Sequence, residues 1–537
     1  MDTNQYPEIY LAAFDISGIQ DYIFATNRLR ENAGASILVT DILNVYLIQA
    51  LKAVEKELPD RKVLTNWIEV NYPLNWTKEN GVCAEVIYIG GGNAIVAYEN
   101  EEIYYLTRKE LAKLVLEKCP SLTVTSYISK VESPDFFRER KRLQKGLDEV
   151  KNSLIRQTII SEFSISEQDP VFGFPIVENK DGEKFTAVQL EKHEAYKKER
   201  NNIYSISNTL LPEGFSYAVE MPDLVQGASN SYIAVVHIDG NGMGDFIHKT
   251  MKNMNQDFTG GLTAMKKLSC DISNTYRNVF KKLMKDFVQF QPDSLRVADG
   301  KKILPMRLAV LDGDDITFLM RADLAIPFSA AFLQMLLKNT GGEFSACAGI
   351  ALVHNHFPFR IAYELAESCC ANAKSSWYKN KEEKNVCYLD FELSHGATER
   401  DLKEIRQDRF GSGNHWEEIM LRPYQISQNP NLENLNSYDR FHQLLCSLLK
   451  ESGGNNRKWP RNRLKRLYES FLLSETDRKA LHLEYDSRGY SVDALTEGNA
   501  NAIFDALEVM DLYDSDCFDM LLSPNERKSA SKAQGKG

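Results

Sequence analysis

Paired cysteines are the first thing this chain lacks. Nine cysteines are scattered from Cys83 to Cys517, and none forms a C-x-x-C pair. Neither a disulfide framework nor a zinc ribbon organises such a sequence, and buried thiols in a reducing compartment are the better reading. No zinc is expected. The nine histidines are as dispersed, and no His-Asp dipeptide marks a metal-dependent phosphohydrolase. The N-terminus, MDTNQYPEIY, has no signal-peptide core, and no apolar run reads as long enough to span a bilayer. The expected place is therefore the cytoplasm, with no membrane partner. Positive charge is in deficit. A net charge of −11 argues against a protein that coats DNA non-specifically. It leaves room for a local basic groove, or for a nucleotide site balanced by a cation.

What is present is ordinary in bulk. With 43% hydrophobic and 26% charged residues over 537 positions, the chain reads as globular and too long for one core. The informative stretch is Asp312-Gly313-Asp314-Asp315, flanked by apolar runs at 307–311 and 316–320. Two strands joined by a tight turn with carboxylates can hold a divalent ion against nucleotide phosphates. Magnesium takes hard oxygen ligands, usually one or two carboxylates, with phosphate and water completing its shell.

This stretch belongs to the second copy of an internal repeat. Asp15-Ile16-Ser17-Gly18-Ile19-Gln20 ends an apolar strand at 9–14, and Asp239-Gly240-Asn241-Gly242-Met243-Gly244 ends another at 232–238. Each leads into helix-like sequence and then a strand pair. The first pair surrounds Gly90-Gly91-Gly92-Asn93, the second the aspartate tetrapeptide. Asp15 and Gly92 are 77 positions apart, Asp239 and Asp314 75. A further strand follows in each, at 122–129 and 344–352, then a helix opening at Pro134 or Pro358, where a missing N–H costs least. The order β-α-β-β-α-β is that of a ferredoxin-like palm. The expected fold is α+β: a degenerate palm at 1–132, a connecting domain at 133–230, a catalytic palm at 231–395, a helical bundle at 396–524 and a disordered tail at 525–537. Apolar residues at three- and four-residue steps in 402–406, 440–449, 463–473 and 502–512 carry the bundle.

The two copies differ in chemistry. Aligning Gly92 with Asp314 and Asn93 with Asp315 leaves palm one only Asp15. A carboxylate ending an apolar strand is costly unless paired or metal-bound. In this fold the end of the first strand lies beside the turn between the second and third. Asp239, Asp314 and Asp315 are therefore expected to converge as the catalytic set, binding magnesium or manganese in a nucleotide-polymerising or nucleotide-cyclising enzyme. Gly240, Asn241, Gly242, Met243 and Gly244 would present backbone N–H groups to phosphate at a helix start, with Gly313 joining them from the turn. Lys374, near the end of the last palm helix, has two open readings: it reaches the triphosphate, or it stabilises a helix C-terminus. The cluster Arg457, Lys458, Arg461, Arg463, Lys465 and Arg466 around Trp459 also has two readings, an RNA contact or a solvated helix face, and the second is favoured.

Together these residues resemble the CRISPR polymerase/cyclase family, the large subunit of type III CRISPR effector complexes. The resemblance rests on Asp15 to Gln20 with Tyr22-Ile23-Phe24 and Gly34-Ala35-Ser36, and on Gly90-Gly91-Gly92. It also rests on Asp239 to Gly244, on Ala348-Gly349-Ile350-Ala351, on Ala373-Lys374 and on the Asp-Gly-Asp-Asp turn, where the family usually has Gly-Gly-Asp-Asp. It implies synthesis of cyclic oligoadenylate from ATP as an antiviral second messenger. It implies a first palm, with Ser17, Gly91 and Gly92, that binds the acceptor nucleotide without metal chemistry. Implied partners are CRISPR RNA, other type III subunits, or a second copy in a homodimer. The related GGDEF enzymes make cyclic diguanylate, so GTP stays open as substrate, as does a scaffold or RNA-binding role with a vestigial palm. Three departures stand out. The chain opens on palm one without the family's HD nuclease domain, so DNA cleavage is not expected. The stretch 133–230 lacks the family's zinc-binding cysteines. Asp312 replaces the first glycine of the turn, and Asn241 stands where GGDEF enzymes carry a second aspartate.

Overall fold

The computed structural model describes residues 8–67, 81–153, 165–170, 173–180, 182–200, 206–228, 230–253, 258–291, 294–380, 385–394, 396, 401–410, 416–429, 432–452, 459–473, 475–496 and 503–522. The expected tail at 525–537, Arg457, Lys458 and parts of the connecting segment lie outside them. The protein is α+β, with several sheets and many helices. It divides into two compact units. One comprises Met1–Ser205, Gly242–Tyr276 and Leu311–Asp314; the other comprises Ile206–Asn241, Arg277–Val310 and Asp315–Gly537.

The main sheet of the first unit contains β1 (Tyr10–Ser17), β2 (Lys62–Leu64), β3 (Val82–Gly90), β4 (Asn93–Tyr98) and β5 (Thr123–Lys130), in the order β2-β3-β4-β1-β5. Its four longer strands pair antiparallel throughout. Two helical crossovers and this order are the ferredoxin-like arrangement. The helix Glu101–Lys118 joins β4 to β5. Asn100 caps it, its side-chain oxygen accepting the Ile103 N–H at 3.0 Å, and Glu101 and Glu102 sit in its first turn. Both features favour a helix start. A hairpin of β6 (Ile176–Lys180) and β7 (Glu183–Thr186) leads into the helix Ala187–Arg200, which packs on the helix Leu29–Asp41.

One expectation needs correction here. The continuous helical stretch Leu29–Glu57 is long and apolar enough, by length and composition, to cross a membrane. The sequence reading missed it because single charged residues break the run. In the fold Leu38, Ile42, Leu47, Leu51 and Val54 of this stretch are buried.

The second unit has a small sheet, β10-β11-β8, of β8 (Phe215–Tyr217), β10 (Val297–Ala298) and β11 (Lys301–Leu304). Its main sheet contains β9 (Tyr232–Gly240), β12 (Met306–Asp312, whose last two residues group with the first unit), β13 (Asp315–Arg321), β14 (Ala346–His354), β15 (Val386–Leu393) and β16 (Tyr424–Ser427), in the order β12-β13-β9-β14-β15-β16. The first four repeat the order β3-β4-β1-β5 of the other sheet, strand for strand. The helix Ala322–Thr340 is apolar nearly all round and buried from Leu324 to Leu337, as a helix between sheet and further helices must be. Gly341, with φ +59°, ends it. β16 comes from the stretch read as helical; it joins the sheet edge beside β15.

Six charged side chains, Asp390, Glu392, Arg406, Arg422, Asp505 and Glu508, are buried between β15 and the C-terminal segments, with the half-buried Arg409 at their edge. Arg406 donates to Asp390 at 2.8 Å and to Glu392 at 2.9 Å. Arg422 donates to Glu392 at 3.1 Å and to Glu508, which also pairs with Arg409. Asp505 accepts from the Tyr424 hydroxyl at 2.8 Å and from the Leu421 and Arg422 N–H groups. Buried charges persist only when paired and hydrogen-bonded in this way.

Candidate functional site

In the second unit, Ile316 lies opposite Ile238. The next rung therefore places Asp315, the first residue of β13, beside Asp239 near the end of β9. Asp314 precedes Asp315 in the turn, where Gly313 takes φ +61°. His237 lies two residues before Asp239 on the same face of β9. Its Nδ1 is 3.2 Å from Thr317 Oγ1 and 3.4 Å from Asp315 Oδ1, and its ring meets Tyr363 edge-on. Burial holds the His237 pKa down to about 4, against the raising influence of Asp239, so it is neutral near pH 7.

Lys374 comes from the helix Phe359–Lys379 and forms an ion pair with Asp239 Oδ2. Burial works against its ammonium. The Asp239 charge and hydrogen bond, with the Cys370 and Cys347 thiols, outweigh that and raise its pKa above the lysine norm. Gly349 makes this reach possible. A Cβ on Gly349 would lie 2.0 Å from the Ala366 carbonyl oxygen and 2.2 Å from the Cys370 nitrogen. Only hydrogen fits, so the helix lies directly on β14, and Lys374 follows Cys370 by one turn. Burial pushes the Cys370 and Cys347 thiols well up, so neither is a ready nucleophile. Asn241 is buried. Its N–H donates to the Ser345 carbonyl at 2.8 Å and its Nδ2 to Ser345 Oγ at 3.2 Å, while Oδ1 has no hydrogen-bond partner among the described residues.

Of the expected set, the structure brings together Asp239, Asp315 and Lys374, with Gly240 and Asn241 continuing β9. Gly242 has φ +60°, and Met243 and Gly244 open the helix Met243–Asn253. Among the described residues no three His, Cys, Asp or Glu side chains form a ready-made metal cage. Asp239 is neutralised by Lys374 instead. The donors fit a magnesium or manganese ion that brings waters and substrate phosphates, since such ions need only one or two carboxylates. The orphaned Asn241 oxygen is a further hard donor.

The first unit has its own version. Asp15 lies opposite Asn93 on β4 and Thr125 on β5. Lys151, from the helix Phe136–Ser153, pairs with Asp15 at 2.7 Å. The sequence reading missed Lys151 because that helix carries basic residues throughout. It missed His237 because a lone histidine in an apolar strand reads as core. Ser17 lines a cavity of about 260 Å³ with Gly18, Tyr22, Thr123, Phe174 and Lys192. Lys192 is buried, donates to the Tyr22 carbonyl at 2.6 Å and lies 4.1 Å from the Tyr22 ring centre. Gly91 and Gly92 have φ +61° and +71°. The Gly92 N–H donates to Asp312 Oδ2 at 2.8 Å.

The basic cluster of the C-terminal helices is largely engaged within its own unit. Arg461 pairs with Asp511, Arg466 with Glu484 at 3.1 Å, and Arg463 lies 4.1 Å from the Tyr490 ring centre.

Residues 232–385 match the family model described as Cas10/Cmr2, second palm domain. The chain carries a Cas10/Cmr2 palm. Beyond this domain, solved structures are similar at the level of the fold. A Csm1–Csm4 cassette in complex with AMPPNP aligns at 13% identity and TM-score 0.51, covering 97% of this chain and 70% of that one. A Csm1–Csm4 cassette in complex with cA3 gives 12% identity and TM-score 0.52, covering 94% and 69%. The Csm1–Csm4 subcomplex of the type III-A CRISPR-Csm interference complex gives 12% and 0.52, covering 96% and 70%. No curated protein sequence matches the chain. The Cas10/Cmr2 palm spans β9 to the helix Phe359–Lys379 and so contains Asp239, Asp314, Asp315 and Lys374.

Proposed function

We propose that this protein is a metal-dependent nucleotidyltransferase that makes a cyclic oligonucleotide, most readily from ATP, as a cytoplasmic antiviral messenger. The observation that carries this reading is the ion pair of Lys374 with Asp239, next to Asp315 one residue beyond the Ile238–Ile316 rung. Asp239, Asp314 and Asp315 would hold magnesium or manganese. A bound ion would lower the pKa of a ribose 3′-hydroxyl and neutralise phosphate charge. Lys374 gives up Asp239 for the triphosphate when substrate arrives, and the backbone from Gly240 to Gly244 with Gly313 orients it. His237 stays neutral beside Asp315 and adds no positive charge to the site. In the first palm, Ser17 and Lys151 hold the acceptor nucleotide, with the cavity beside Ser17 taking its base. The domain boundaries read from the sequence are kept as part of this proposal, with β16 added at the edge of the second palm's sheet.

The test is incubation with each NTP and magnesium, followed by pyrophosphate assay and mass spectrometry of the product. Cyclic oligoadenylate is expected. Asp314→Ala with Asp315→Ala should lower turnover by about 1,000-fold or more, the scale of removing preorganised electrostatics. Absence of pyrophosphate with every NTP, with or without RNA, defeats the proposal. A GTP-only profile points instead to a cyclic-diguanylate-type product. One rival is a scaffold subunit with a vestigial palm. Co-purification of an inactive protein with guide RNA would support it.

A further inference from the structure

The turn of the first palm is occupied by the chain itself. Gly91 and Gly92 are both left-handed, and a Cβ on Gly92 would lie 2.7 Å from Ile19 Cδ1. Glycine is therefore required there on two counts. Several polar groups of the turn are engaged within the chain. The Gly92 carbonyl accepts the Ile16 N–H at 3.0 Å, and the Gly91 carbonyl accepts Asn93 Nδ2 at 3.2 Å. The Tyr88 hydroxyl donates to Asn93 Oδ1 at 2.8 Å. The Gly92 N–H, which could approach a phosphate, donates to the Asp312 carboxylate. Both residues belong to the first compact unit, although 220 positions separate them.

We infer that Asp312 is a positioning residue, a latch that fixes the Asp312-Gly313-Asp314-Asp315 turn on the glycine turn of the first palm. This inference rests on the proposed nucleotidyltransferase reading. A carboxylate accepting a backbone N–H is a charge-assisted bond and holds direction as well as distance. The bond also keeps the Asp312 charge on an N–H donor, away from the pair two residues on. Gly92 thereby serves the hairpin rather than a phosphate.

Amide hydrogen exchange and steady-state kinetics on the full-length protein test this. Asp312→Ala should speed exchange at Gly92 and lower kcat about 10- to 100-fold with KM for ATP little changed, as expected when reacting groups are misplaced. Asp312→Asn keeps an acceptor oxygen and should restore most of both. Unchanged exchange at Gly92 in Asp312→Ala overturns the latch, as does an increase in kcat, which would mean that the carboxylate obstructs the turn. If the wild type makes no nucleotide product, the reading of function fails, while exchange at Gly92 still decides whether the latch exists.

Discussion

Two sheets of this protein share one strand order and one Asp–Lys pair, yet they solve the packing beneath it in opposite ways. In the second palm, Gly349 on the strand makes room for the helix that carries Lys374. In the first, the rung holds Tyr127 instead, and the glycine is Gly146 on the helix, where a Cβ would lie 2.2 Å from the Tyr127 ring. The rungs correspond. Tyr127 lies opposite Ala13 and Gly349 opposite His237, each two residues before the strand's aspartate. A helix must approach the sheet closely for its lysine to reach the carboxylate, and either surface can yield. The carboxylates differ more. Asp15 faces Asn93, whereas Asp239 lies next to Asp315, one residue beyond the Ile238–Ile316 rung. The Asp–Lys pairing is thus common to both sheets, and the second acid beside it belongs to one.

The sharpest way to break this comparison is to fill the two glycine contacts. Gly349→Val drives side-chain carbon into helix backbone and should cost about 3 kcal/mol or more, at the upper end of overpacking penalties. Gly146→Ala meets a side-chain ring that can shift, and about 1 kcal/mol is expected. Thermal or urea unfolding of both variants measures the difference; equal costs would show that the two helices do not approach their sheets alike.

Removing each lysine comes next. Lys374→Ala should lower turnover about 100-fold, as expected for loss of one phosphate-directed charge near the reacting centre. Lys151→Ala should act mainly on KM, by about 10-fold or less, as the proposed acceptor-binding role of the first palm requires. Matching kcat losses would give both sheets a chemical role.

The smallest effect concerns the anchors of the appended segments. The second unit buries arginines fully paired with acids, whereas the first buries Lys192 beneath Tyr22. Burial holds the Lys192 pKa down to about 8, with Glu31 opposing the shift. Above that pH the folded chain loses the proton while the unfolded chain keeps it up to the ordinary lysine value. Stability attributable to this group therefore rises with pH from about 8 to 10.5, by about 1.4 kcal/mol per unit at most. Wild type should gain on Lys192→Met across pH 8 to 9 by about 1 kcal/mol in urea unfolding; parallel curves would contradict it.

The strand order was legible in the sequence because turn signals and apolar runs repeat at matched spacing, and because Asp15 and Asp239 interrupt those runs at the same place. What pairs with what was less legible. Lys374 was readable only as one of two alternatives, since a helix-end lysine looks the same whether it meets solvent or Asp239. The Asp312 partner lies 220 positions away in a turn with no side chains to mark it. The trio Arg406, Arg409 and Arg422 reads as surface in any one-dimensional pattern, because arginine is seldom buried and its acidic partners come from two separate segments, at 390–392 and 505–508.

The division into two units has a further consequence. The chain passes between them five times, and the first unit is assembled from three separate stretches of sequence. A single exchange of gene segments cannot replace one unit with a relative's. Most crossovers would leave a hybrid of both, including one that parts the Leu311–Asp314 tip from the glycine turn of Gly92. The two halves are bound to be inherited together, and any drift in one of these turns must be matched in the other.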